Sequence, residues 1–222
     1  MSALQYGRKS NIGQRAFSRV DLLIIIAAVA LVILAIPSSS YTTGSKVRAQ
    51  RISCVNNLRQ IGIASREWAR EHSSNFVWQT SMKNGGTAFG TIVSGFLTMT
   101  NELRSPKLLT CPSDKLRQKA NSFADFSQKN ISYFIALDCP FENPQAILAG
   151  DRNVKADNSA SRNRVTVRTN TAIRWDKDIH ESAGNLLLAD GSSQMVSQQG
   201  LANQIQAQFL ASTNASITWL LP

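Results

Sequence analysis

Histidine occurs twice in the 222 residues and cysteine three times, and neither is spaced as a metal or redox motif. No Cys-x-x-Cys pair is present, which argues against a zinc ribbon or a thioredoxin-like centre. Cys54, Cys111 and Cys139 are too few for a disulfide framework. One bridge remains open in an oxidising compartment, with three free thiols as the alternative. Cys111–Cys139 is the first choice for it, because Cys54 falls on a segment that reads as an inward-packed helix. A Gly-x-Ser-x-Gly or comparable nucleophile setting is also missing, so no hydrolase template stands out. Acidic side chains are absent from the first sixteen residues, which carry Arg8, Lys9 and Arg15. Over the whole chain 24 Lys+Arg face 14 Asp+Glu, a net charge of +10. Apart from a mild cluster at Arg162, Arg164, Arg168 and Arg174 the surplus is scattered. That describes a solvated basic surface better than a nucleic-acid footprint.

The chain does have a long apolar run. Residues 22–37, LLIIIAAVALVILAIP, hold no polar side chain, and no charge follows until Lys46. Sixteen helical residues rise about 24 Å, and extension through Ser38, Ser39, Ser40 and Tyr41 reaches the ~30 Å of a bilayer core. The run therefore reads as a membrane segment. Asp21 stands directly before it, and a carboxylate at that edge needs a partner.

The residues around this acid resemble a known family. Arg15-Ala16-Phe17-Ser18-Arg19-Val20-Asp21 is similar to the processing site of type IV prepilins and type II secretion pseudopilins. The resemblance implies a leader over residues 1–16, cut by a prepilin peptidase between Ala16 and Phe17, with methylation of the new amine. Asp21 would then pair with the N-terminus of a neighbouring subunit during assembly. Ala16 stands where the family usually has Gly, Asp21 where it has Glu, and Arg19 where an apolar residue is usual.

Beyond Gly44 a helical pattern resumes: Ile52, Val55, Leu58 and Ile61 recur at every third position, then Trp68. Arg48, Arg51, Arg59, Arg66 and Arg70 mark the other face. Residues 51–62, Arg-Ile-Ser-Cys-Val-Asn-Asn-Leu-Arg-Gln-Ile-Gly, resemble a segment of a large bacterial group of prepilin-like proteins, as does Cys111-Pro-Ser-Asp114. The group's named signature is a histidine, nine residues and Asp-Gly, matched by His180 and Asp190-Gly191.

Strand signals follow at residues 130–137, 146–149, 164–168 and 217–221. A hairpin is expected over 185–196 around Asp190-Gly191-Ser192, a helix over 199–210, and loops over 84–95 and 151–163. The expected fold is α+β. A long N-terminal helix, membrane-spanning over residues 17–45 and amphipathic over 46–72, packs on a small antiparallel head of residues 73–222.

The resemblance implies a structural pseudopilin subunit of a type II secretion or type IV pilus-like filament rather than an enzyme. It would lie in a bacterial inner membrane as a single-pass protein with its head on the periplasmic or extracytoplasmic side. Its expected partners are other pilin-like subunits, prepilin peptidase, the inner-membrane assembly platform and lipid. Two other readings differ in class: a DNA-binding minor pilin using the basic surplus, and a membrane-tethered hydrolase using His180 with Asp190 and a serine or Cys111. His180, Asp190 and Gly191 read best as structural, serving an Asp-Gly turn and a backbone contact. No cofactor or metal is expected. Some pseudopilins bind calcium near the end of the head, which makes Asp151 and Asp157 a weak calcium candidate, with Arg152 and Lys155 counting against it.

Overall fold

The computed structural model describes residues 18–35, 43–88, 90–157, 163–212 and 214–222. The chain divides into two compact units, Met1–Thr42 and Thr43–Pro222.

In the first unit the apolar run forms one helix, α1 (Arg19–Ala35). Ser18 caps it: its hydroxyl accepts from the Val20 N–H at 3.2 Å, and Asp21 reaches back to accept from the Ser18 N–H at 3.0 Å. Seventeen residues rise only about 26 Å. Among the described residues no helix is long and apolar enough to cross a membrane. This corrects the expected transmembrane helix over 17–45, the long N-terminal membrane helix of the fold, and the single-pass inner-membrane location drawn from them. The extension expected to complete a span, residues 38–41, lies outside the described residues, as do Ala16 and Phe17.

The second unit begins with α2 (Thr43–Glu71). Its buried face runs Cys54, Leu58, Ile61, Ser65 and Trp68, alternating four- and three-residue steps. Ile52, expected on that face, is 54% exposed. A strict three-residue step drifts about 60° each time, so Ile52 and Ile61 face opposite ways. Short helices α3 (Ile92–Thr98) and α4 (Thr100–Leu103) and a 3₁₀ turn (Pro106–Leu109) follow. Thr91 starts α3 by accepting from the Ser94 N–H.

Eight strands are described: β1 (Tyr133–Ala136), β2 (Ile147–Asp151), β3 (Val154–Ala156), β4 (Arg164–Val167), β5 (Ile173–Trp175), β6 (Gly184–Leu188), β7 (Ser193–Val196) and β8 (Ile217–Leu220). Six form one sheet in the order β4-β8-β1-β2-β6-β7, every described pair antiparallel. β3 and β5 form a separate antiparallel pair. The loop expected over 151–163 therefore contains a strand, and β5 carries too few residues to show a period.

β1, β2 and β6 are buried along their whole length, whereas β4 alternates, with Val165 and Val167 inward. α2 packs against β6, β7 and β2. Phe134 and Trp219 stack in the core with ring centres 4.5 Å apart. The β2–β6 register shifts between Ile147 and Ala149, and Gln208 of α5 (Gln198–Leu210) accepts from the Ile147 N–H at that point. A buried donor without that partner would cost about 1–3 kcal/mol.

Candidate functional site

Cys54, Cys111 and His180, from three separate stretches of the second unit, meet in space. Cys54, on the inner face of α2, is disulfide-bonded to Cys111, just past the 3₁₀ turn. Cys139 is the free thiol, buried, and burial pushes its pKa well up. The expected Cys111–Cys139 pairing is corrected. Inward packing of Cys54, taken as a reason against a bridge, is what places its sulfur against Cys111.

Asp114, three residues on, receives Arg152 in a two-pronged ion pair at 2.7 and 2.8 Å. Its side chain is fully buried, so the pair ties the Cys111 segment to the end of β2. Asp151, the last residue of β2, is wholly buried beside it. Asp151 Oδ2 accepts from the Asn185 backbone N–H at 2.7 Å and from its side-chain amide at 2.9 Å. The same Asn185 amide nitrogen lies 3.1 Å from His180 Nε2. Nε2 is also 3.5 Å from Asp151 Oδ2 and 3.5 Å from Cys111 Sγ. Arg51 Nη2 donates to the His180 carbonyl at 2.6 Å.

Local backbone geometry delivers His180 into this cluster. His180, Glu181 and Ser182 all have positive φ, at 57°, 54° and 65°. Left-handed backbone costs a non-glycine residue roughly 1–2 kcal/mol, so surrounding contacts must hold the turn. The Asn153 amide does so, within bonding distance of the carbonyls of Asp176, Ile179 and Ala183. Trp175 covers Gly184 so closely that a Cβ there would stand 2.6 Å from its ring.

Burial raises the Asp151 pKa to about 8, with Asn185 pulling partly the other way. Burial and the nearby Arg51 charge lower His180 to about 4. At neutral pH the contact is therefore a carboxylic acid against a neutral imidazole, not an ion pair, despite the short separation. Asp151 Oδ1, His180 Nδ1 and Asn185 Oδ1 are buried without a hydrogen-bond partner. Burial and the Asp151 carboxyl also raise the Tyr133 hydroxyl pKa.

Asp190 is elsewhere. It is exposed in the β6–β7 turn, where it accepts from the Ser192 N–H at 2.8 Å and Gly191 takes φ 87°. That turn docks on α2. Arg66 donates to the Ala189 carbonyl, Ser193 donates to the Val55 carbonyl at 3.0 Å, and Gly62 leaves the room. His180 and Asp190 thus serve two different contacts, and the hydrolase pair is not assembled. Nor are the calcium candidates together: Asp151 is buried, while Asp157 is exposed and paired with Arg174. His72, at the end of α2, stacks on Trp68 at 3.6 Å. All four tryptophans are buried.

Sequence reasoning missed Arg51, Asp114, Asp151, Arg152 and Asn185 as one cluster. A signal existed for two of them: Asp151 and Asn185 are polar residues abutting apolar strand runs, where a polar group needs a partner. Comparisons with known proteins add nothing to this assignment: no protein-family model, curated protein or solved structure matches the chain.

Proposed function

We propose that the chain is a non-enzymatic structural subunit of a pilin-like filament, matured by cleavage between Ala16 and Phe17. The observation that carries the reading is α1. Its apolar residues are exposed on every side: Leu22, Leu23, Ile24, Ile25, Ile26, Val29, Leu31 and Val32. A helix apolar all round is stable in water only when something covers it, each large side chain contributing about 1.5–3 kcal/mol on burial. Copies of the same helix from neighbouring subunits are the cover proposed.

Two further features fit a subunit. The disulfide and the polar cluster of the second unit fasten α2 to the sheet, and they leave Cys54, Cys111, Asp151, His180 and Asn185 only 0–6% exposed, out of a substrate's reach. The outer face of α2 carries Arg48, Ile52, Arg59, Ile63 and Arg70 in one exposed stripe about 33 Å long. Isoleucines between arginines suit a protein neighbour.

The test is a photo-crosslinking residue placed at Leu23 or Leu31. Ladders of crosslinked copies are expected from either position. Monomer alone at both positions, in cells making all the chain's partners, would refute the reading. The arginine stripe is also the observation that favours a second reading, a nucleic-acid-binding minor subunit. Binding to duplex DNA that weakens with salt and drops when Arg59 and Arg70 become serine would favour it.

A further inference from the structure

Cys54, Cys111 and His180 lie far apart in sequence, yet one donor atom from each falls within 4.8 Å of the other two. We propose that, once the Cys54–Cys111 bond is reduced, these three residues hold a thiophilic divalent cation of the zinc type, with Asp151 as the fourth ligand. The inference is independent of filament assembly.

The donor set is that of a closed site: two thiolates, an imidazole nitrogen and a carboxylate oxygen. Much of its geometry is in place. In a tetrahedral site with metal–sulfur bonds of about 2.3 Å and metal–nitrogen bonds of about 2.0 Å, adjacent sulfur and nitrogen stand ~3.5 Å apart and adjacent nitrogen and oxygen ~3.3 Å. Cys111 Sγ and His180 Nε2 are 3.5 Å apart, and Nε2 and Asp151 Oδ2 are 3.5 Å apart. Two adjustments complete it: the two sulfurs separate to ~3.8 Å by side-chain rotation at Cys54 and Cys111, and the Asp151 carboxylate, which stands outside the 4.8 Å group, turns toward them.

Hydrogen bonding points the same way. Nε2 acts as an acceptor, leaving the ring proton on Nδ1, and Nε2 and Asp151 Oδ2 converge on one donor, the Asn185 side-chain amide. That amide occupies the place of a positive centre for the two atoms that would bind the ion. When the ion takes them, the Asn185 backbone N–H still holds Asp151 Oδ2, orienting the carboxylate from behind. Buried atoms without partners cluster here too, at Asp151 Oδ1 and Asn185 Oδ1, so the polar cluster is incomplete in the disulfide form.

A dithiol or a phosphine reductant gives the disulfide two electrons, the two sulfurs take two protons, and the reductant leaves as a disulfide or, with water, as phosphine oxide. Binding of the divalent cation then displaces both thiol protons, and any proton on Asp151, to solvent. Exchange with a small-molecule disulfide reverses the sequence: it takes the two electrons and two protons and leaves as two thiols, the Cys54–Cys111 bond re-forms, and the ion departs. The same two cysteines thus alternate between a covalent clamp and a metal clamp joining α2 to the segment after the 3₁₀ turn.

Cobalt(II) titration of the full-length chain tests this. The phosphine-reduced chain is expected to bind one cobalt with sulfur-to-cobalt charge-transfer absorption and intense tetrahedral visible bands. The disulfide form is expected to give neither. His180→Gln should keep the charge-transfer bands, shift the visible bands and weaken binding by more than about tenfold. Should reduction unfold the chain, zinc added to it is expected to restore the native tryptophan fluorescence. The proposal is overturned if reduced chain binds cobalt no better than oxidised chain, if the bound ion shows no thiolate absorption, if His180→Gln leaves affinity and spectrum unchanged, or if zinc fails to refold a reduced, unfolded chain.

Discussion

Replacing Asp151 by asparagine is expected to change how stability depends on pH, and the sign follows from the two buried groups. Asp151 titrates near 8 in the fold against 3.8 unfolded, so between those values the folded chain holds the extra proton. Its share of stability is complete at low pH and falls as pH rises, by about 1.4 kcal/mol per unit. His180 titrates near 4 in the fold against 6.5 unfolded, so between those values the unfolded chain holds the extra proton. Its share rises with pH over that window at the same slope. The two cancel from about pH 4 to 6.5. Above that only Asp151 acts, and wild-type stability should fall by about 2 kcal/mol between pH 6.5 and 8. In Asp151→Asn the amide mimics the protonated acid and does not titrate. The variant should instead gain about 3 kcal/mol between pH 4 and 6.5 and stay level to pH 8. Urea unfolding followed by tryptophan fluorescence at half-unit pH steps measures both curves. A wild type that stays level or gains stability from pH 6.5 to 8, with the variant parallel to it, would refute the neutral-pair description.

Three further changes have expected outcomes. Reduction of the Cys54–Cys111 bond, which closes a separation of 57 residues, should lower stability by about 4 kcal/mol in metal-free buffer, read from the urea midpoint. A change under about 1 kcal/mol would mean the bond constrains little. Gly62→Ala puts a Cβ 2.5 Å from Leu187 Cδ1 and 3.2 Å from Gly191 Cα, so the buried Leu187 side chain must turn aside and the hairpin give slightly, at about 1–3 kcal/mol by thermal or urea unfolding. Asp114→Ala leaves Arg152 without its two-pronged partner and should cost about 3 kcal/mol, more than Arg152 and Asp114 removed together.

Elements governed by local pattern were legible in the sequence. The Asp190-Gly191 turn and its flanking alternation gave the β6–β7 hairpin, and Arg-Val-Thr-Val gave β4 with both valines inward. The face of α2 was misjudged at Ile52, because a three-residue step follows a ridge that spirals off the buried side. The apolar run was read by composition and given spanning length, whereas the described helix ends at Ala35. β3 and β5 are three residues each and, among the described residues, pair with one another alone, so neither carries a period to detect. The cluster was the least legible part. Arg51, Cys54, Cys111, Asp114, Asp151, His180 and Asn185 come from separate stretches of chain, and only the tertiary fold makes them neighbours. His180 and Asp190 are joined in sequence by a motif but act at different places, one in the buried cluster ahead of β6 and one in the exposed β6–β7 turn.

The proposal that the chain is a pilin-like subunit is tested most directly at the N-terminus. Intact mass and terminal sequencing of the protein, made with and without its cognate prepilin peptidase, locate the first residue. A chain beginning at methylated Phe17 is expected when the peptidase is present, and one beginning at Met1 when it is absent. An intact Met1, or a cut near Ser40, in both cases would contradict the proposal.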